Sequence, residues 1–287
     1  MNRSAVSLPN RIFRLVMLIV GFGFLYLPIV GLVVFSFNDS RFPSLPWSGF
    51  TLRWYEDFVS NPDIMSSLSN SLIVAVQVGF YSLILGSLGA YLVARWEFRG
   101  MNALLGFWIM PPTVPTLILA LALLMYFNQL GLTGTLNAVI LGHTGLASAF
   151  VVAVMRLRFV ALDPNLEEAA TNLGFSRWAT FWRITAPQIA PGAAASFFIA
   201  MAVSWDEFVI AWFLSGFDST LPVQMFGVLS GYVSPMINAV GTFVFAITTL
   251  LVLVALFILN RPSGAGRARR RAATTQAAPQ PAVGTER

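Results

Sequence analysis

Apolar positions along this chain do not alternate with polar ones at the period of a half-buried helix or strand. They gather into runs of about 20 residues, the length a helix needs to cross roughly 30 Å of hydrocarbon. Bounding each run by charged or turn-forming residues predicts six helices, at 13–36, 69–94, 103–127, 137–156, 189–212 and 237–259. Arg3, Arg11 and Arg14 precede the first run in the manner of a signal peptide. Its apolar stretch, 15–35, is 21 residues long, past the roughly 7–15 of a cleavable h-region, and it reads as a retained anchor. The expected fold class is an all-α, polytopic membrane protein.

Composition agrees: 57% of the 287 residues are hydrophobic, 10% are charged and the mean hydropathy is +0.75, outside the range of soluble domains. Charge then orients the spans. All 17 basic residues are Arg, and 15 of them fall on the side that carries both termini, leaving Arg41 and Arg53 on the other. The positive-inside rule makes both termini cytoplasmic. It also accounts for a pI near 10.2 without nucleic acid, because the arginines sit at membrane edges rather than on one face of a soluble fold.

Absent residue types exclude chemistries. Without Lys there is no P-loop lysine and no Schiff base. Without Cys there is no thiolate nucleophile or disulfide, and a single histidine, His143, makes no zinc cluster or Ser/His/Asp triad. No catalytic or metal-ligating set is expected. His143, beside Gly142 and Gly145, reads as a packed histidine.

Residues 1–12 form a short cytoplasmic N-terminus, 13–260 the membrane domain, and 261–287 an Arg-rich cytoplasmic tail with too few large apolar residues to bury a core, expected to be disordered and to touch anionic lipid. The outward segment 38–68 is long enough for a short surface helix. The outward segment 213–236 carries Val223, Phe226, Val228 and Leu229, spaced to lie flat on the bilayer or to serve as a plain connector. Pro111, Pro112 and Pro115 must kink or interrupt the third span. Gly86, Gly89 and Ala90 mark close helix packing in the second.

Residues 157–188 are too long for a turn and are patterned as two short helices. Asp163 and Pro164 form an N-cap and first-turn pair, with Glu167 and Glu168 near the positive end of the helix dipole. Leu166, Ala169, Ala170 and Leu173 make one apolar stripe, with Glu167, Glu168, Thr171 and Asn172 outside it and Gly174 at the C′ position. Ser176 can cap a second helix whose stripe is Trp178, Phe181, Trp182 and Thr185, and Pro187 leads into the fifth span. Physically this is a helical hairpin that either docks another protein or rests on lipid.

The pattern Glu168, Ala169, Ala170, three residues, Gly174, nine residues, Ile184, then Pro187 preceded by Ala186, resembles the EAA loop of binding-protein-dependent ABC importer permeases. The resemblance runs from residues 28–38 (PIVGLVVFSFN) through 204–216 (SWDEFVIAWFLSG) to 234–239 (SPMINA), and is nearest the spermidine/putrescine permease branch. It departs from the family at Ala186, where Leu is usual, and at Met236, where an acid often stands in polyamine permeases. The resemblance implies a type I importer-like permease in the bacterial inner membrane and no enzyme activity of its own. It implies a second permease subunit, two ATP-binding subunits that bring the ATP, and an external solute-binding protein. Glu168, Ala169, Ala170 and Gly174 would couple to the ATPase, with residues 157–188 as the coupling loop. The implied cargo is a polyamine, with a sugar or other small organic solute as the alternative.

Asp206 and Glu207 lie about two thirds along the predicted fifth span, where an ionised carboxylate costs about 2.5–3.5 kcal/mol. They are the candidates for a cation path, with Trp205 and Trp212 offering aromatic faces. Their other reading is the outer interface or a contact with the partner permease. An ion-coupled secondary transporter is the competing class, but no inverted repeat is evident and residues 157–188 would then be unexplained.

Overall fold

The computed structural model describes residues 8–40, 45–96, 98–231 and 234–260, so the expectations for the tail and for the first seven residues lie outside the described chain. Among the described residues the fold is all helical, with one isolated bridge, Asn38 to Phe50. The helices are α1 (Leu8–Phe35), α2 (Arg53–Ser60), α3 (Pro62–Arg95), α4 (Met101–Ile109), α5 (Thr116–Gln129), α6 (Leu136–Val160), α7 (Pro164–Asn172), α8 (Arg177–Thr180), α9 (Ala186–Asp206), α10 (Val209–Leu214), α11 (Leu221–Gly231) and α12 (Met236–Asn260). Among the described residues, five continuous helical stretches are long and apolar enough to cross a membrane: Arg11–Phe35, Pro62–Arg95, Leu136–Val160, Arg177–Asp206 and Met236–Asn260.

The third expected span, 103–127, is two helices rather than one. Pro111, Pro112 and Pro115 have no N–H to donate, so α4 stops and a 3-10 turn, Pro111–Thr113, separates it from α5. The break keeps its own polar groups satisfied. The Met110 carbonyl accepts from the Thr113 backbone N–H at 2.9 Å and from its hydroxyl at 2.7 Å, and the Pro115 carbonyl accepts from Ile118 and Leu119.

The second span begins seven residues earlier than its apolar run. Asn61 caps it, its side-chain oxygen accepting from the N–H groups of Asp63 and Ile64, each at 3.1 Å, with Pro62 behind it as a first-turn proline. A cap of this kind extends a helix into polar sequence that hydropathy alone leaves out.

The chain divides into two compact units. The first, residues 1–70 and 219–247, holds the expected short helix of the 38–68 segment, α2. That helix buries Trp54 and Phe58 with Ile64, Leu221, Met236, Ala239 and Val240. The Trp54 indole N–H donates to the Asn38 carbonyl at 2.9 Å. Within this unit α11 turns Leu221 inward and leaves Phe226 and Leu229 exposed. In α1, residues 11–27 are exposed throughout, as suits a helix apolar on every side and covered by lipid or another subunit.

The second unit, Ser71–Asp218 and Thr248–Arg287, is built on α6 packed along α9. Small side chains set the spacing: Ala147, Ser148, Ala195, Ser196 and Ala200 are all buried, which lets helix backbones approach closely. Gly86 and Gly89 serve the same end on α3. A Cβ at Gly86 would lie 2.6 Å from the Val151 Cβ and 3.0 Å from the Ser148 carbonyl oxygen, and one at Gly89 would lie 2.9 Å from the Trp108 ring. Replacing Gly86 with Val should therefore destabilise the fold by about 1–3 kcal/mol, read as a lower thermal midpoint in detergent. Gly106→Ala, where the added methyl meets nothing within 4 Å, should leave that midpoint in place.

Candidate functional site

The segment between α6 and α9 carries the first group of candidate residues. Asp163 caps α7, its carboxylate accepting from the Asn165 N–H at 3.0 Å. The helix ends in a Schellman motif: the Phe175 N–H donates to the Ala170 carbonyl at 3.0 Å and the Gly174 N–H to the Thr171 carbonyl at 2.9 Å. Gly174 sits at φ +87°, which a residue with a Cβ adopts only under strain.

The expected second helix is not a separate one. Helix α8 runs through a π-helical segment, Phe181–Thr185, straight into α9, making one stretch Arg177–Asp206. The Ala186 N–H donates to the Phe181 carbonyl, five residues back. Pro187 cannot donate to the Arg183 carbonyl, and the widened turn carries the helix across that gap. The widening also splits the expected stripe. Thr185 is buried, whereas Trp178 and Trp182 are 72% and 55% exposed and meet edge to face.

The stripe on α7 faces mostly outward. Leu166, Ala169 and Leu173 are exposed, Leu173 to 79%, and only Ala170 is buried. Glu168 is exposed as well. Glu167, which lies outside the stripe, points inward: one of its oxygens accepts from the Arg95 guanidinium at 3.1 Å and from the Thr185 hydroxyl at 2.8 Å. The sequence placed Glu167 near the positive end of the helix dipole and gave no sign of its distant partners. A cavity of about 850 Å³ adjoins this tie, walled in part by Tyr91, Arg177 and Phe181.

The second group lies where the predicted fifth span breaks. Helix α9 ends at Asp206 and α10 starts at Val209, so Asp206 closes one helix and Glu207 lies in the gap before the next, rather than both lying inside a continuous one. They do different things. A Glu207 carboxylate oxygen accepts from the Ile210 N–H at 2.9 Å, capping the backbone that the break exposes. Asp206 reaches α12, accepting from the Thr248 hydroxyl at 2.8 Å, and remains exposed.

Trp205 is buried at 4% exposure, with an indole N–H that has no partner among the described residues. Its ring is therefore packed inside the unit. Trp212 stacks on Phe208 at 5.7 Å between centroids and is half exposed. His143 is packed as expected, its Nδ1 2.9 Å from the Ser204 hydroxyl.

A set of long apolar helices, one broken at an acidic pair and joined to its neighbour by a short displayed helix, defines a multi-pass inner-membrane transport component rather than an enzyme. The chain belongs to the family described as binding-protein-dependent transport system inner membrane components, whose model matches residues 82–262, and it is a permease subunit of an ABC importer. It is 33% identical over 257 residues to the putrescine transport system permease protein PotI of Escherichia coli K12, covering 86% of this chain and 91% of that one. It is 30% identical over 238 residues to the spermidine/putrescine permease protein PotC of the same organism, covering 83% and 90%. The fold matches the crystal structure of a bacterial ABC transporter that imports the acidic polysaccharide alginate. There the TM-score is 0.64 at 20% identity, over 89% of this chain and 98% of that one.

Gly174→Ala should weaken the α7 terminus by about 1 kcal/mol. Amide hydrogen exchange should report this as faster exchange confined to α7 and the turn after it.

Proposed function

We propose that this permease subunit passes a polyamine through a path it forms with a second permease subunit, both driven by two ATP-binding subunits and fed by an external binding protein. Six crossings underlie this reading, with α4 and α5 together making the third and both termini on the cytoplasmic side. Residues 13–260 form the permease domain, 157–188 its coupling loop, and the Arg-rich tail contacts anionic lipid. ATP is bound by the partner subunits, in keeping with a chain that has no lysine for a Walker A loop.

The observation that carries the coupling role is the outward face of α7. A short helix showing Ala169, Leu166 and Leu173 to its surroundings is surface without a partner inside this chain, and the family's EAA pattern falls on it. Glu168 and Ala169 form the contact with the ATPase, Ala170 packs behind them at 3% exposure, and Gly174 sets the reversal that presents the helix. Ala169→Arg should abolish co-purification of the ATP-binding subunits from detergent extracts while the second permease is still recovered. Retention of the ATPase at wild-type level would refute the docking role.

Support for the cargo comes from two sides. The relatives at 30–33% identity are named for putrescine and spermidine, and Asp206 presents an exposed carboxylate on a span. In hydrocarbon that group must face water, a cation or another subunit. Asp206 attracts the ammonium groups, Glu207 holds the helix break that exposes it, and Trp205 packs behind as its support. In proteoliposomes holding the complete transporter, Asp206→Asn should lower putrescine uptake by about ten-fold, the equivalent of losing roughly 1.4 kcal/mol of interaction with the cation. Unchanged uptake would remove Asp206 from the path. Capture of a neutral sugar or an anion by the cognate binding protein would overturn the polyamine reading and leave the importer assignment standing.

A further inference from the structure

The outward stripe of α7 leaves open what holds the helix to the spans it would have to move. Among its described side chains only Ala170 is buried, at 3% exposure, while Leu166, and Leu173 just past its end, face away. The chain on either side leaves regular helix, with a bend at 161–163 before it and the positive-φ turn at Gly174 after it. Beyond that turn comes a π-helical segment, Phe181–Thr185, a form less tightly wound than the helix it interrupts. A push on α7 would be absorbed at these joints unless a further contact bridged them.

Glu167 supplies that contact. One carboxylate oxygen joins three elements: α7 itself, the last residue of α3 through Arg95 at 3.1 Å, and the end of the π segment through Thr185 at 2.8 Å. The Arg95 side chain is 13% exposed and that of Glu167 29%, so the pair is partly withdrawn from water. A charge-assisted bond there is stronger and less screened than one on an open surface. Thr185 is buried at 2% exposure, which fixes the third partner. The tie spans the π segment, linking α7 directly to the place where α9 begins.

We propose that Glu167, held by Arg95 and Thr185, is the positioning residue that makes α7, α3 and α9 move as one body. Movement imposed on α7 is thereby delivered to two spans rather than lost in the turns. This rests on the coupling role of α7 proposed above, but assigns the transmission to residues that are not the docking face.

The experiment uses the complete transporter, with its binding protein, in proteoliposomes, and measures solute imported per ATP hydrolysed together with recovery of the ATP-binding subunits. Glu167→Ala and Arg95→Ala should each lower the transport-to-hydrolysis ratio by about ten-fold, as expected for removing one partner of a charge-assisted pair, with the ATPase still recovered. The exchanged pair Arg95→Glu with Glu167→Arg should restore at least part of the ratio, which a loss of folding could not do. A wild-type ratio in Glu167→Ala would overturn the proposal. So would a loss of the ATPase in both single variants that the exchange does not reverse, because the tie would then serve docking or folding alone. Ala169→Arg keeps the two ideas apart: if it retains the ATPase, the docking role of α7 fails whatever Glu167→Ala does.

Discussion

A polar group in hydrocarbon has no water to fall back on, and the two breaks in the apolar spans, after α4 and after α9, are built around that constraint. Where three prolines stop α4, the freed Met110 carbonyl is taken by Thr113 through both its backbone and its hydroxyl. Where α9 breaks, Glu207 turns back to accept from Ile210. Buried His143 has Ser204, and Asp206 has Thr248. The breaks persist because side chains take up the hydrogen bonds that the helices relinquish. The irregular backbone is thus tied to particular residues rather than to general looseness.

The same rule separates two neighbouring acids. Asp206 and Glu207 look equivalent as a pair, yet once the helix breaks between them and α10 only one is free to face outward. Glu207 accepts a backbone N–H and is half-buried. Asp206 accepts a hydroxyl and stays exposed, and this difference in exposure is why the cationic solute is proposed to meet Asp206 and not Glu207.

In α7 the division is between two faces of one short helix. The outer face carries Glu168 and Ala169 of the family pattern and suits close approach by another protein. The inner face carries Glu167, whose ion pair and hydroxyl contact fasten the helix to two spans. On the proposed coupling role, a permease without fuel chemistry of its own depends on both, since a surface that binds a motor does no work unless it is rigidly joined to what must move.

The sequence by itself determined the class of protein. Runs of about 20 apolar residues admit no other packing for most of the chain, and the EAA pattern at Glu168 to Gly174 placed it in its family. Local chemistry was equally legible: Asp163 as a cap, Gly174 as a left-handed C′ residue and the prolines as an interruption all follow from bonds within a few residues. Two local features escape hydropathy: the early start of α3 rests on the Asn61 cap, a polar signal outside the apolar run, and the fusion of α8 into α9 rests on a π turn that periodicity at 3.6 residues does not register. Only the tertiary structure decided the remainder. The inward turn of Glu167 depends on Arg95 and Thr185, 72 and 18 residues away. Periodicity reports which face a residue occupies relative to its own helix axis. Which face looks inward is set by what packs against that helix.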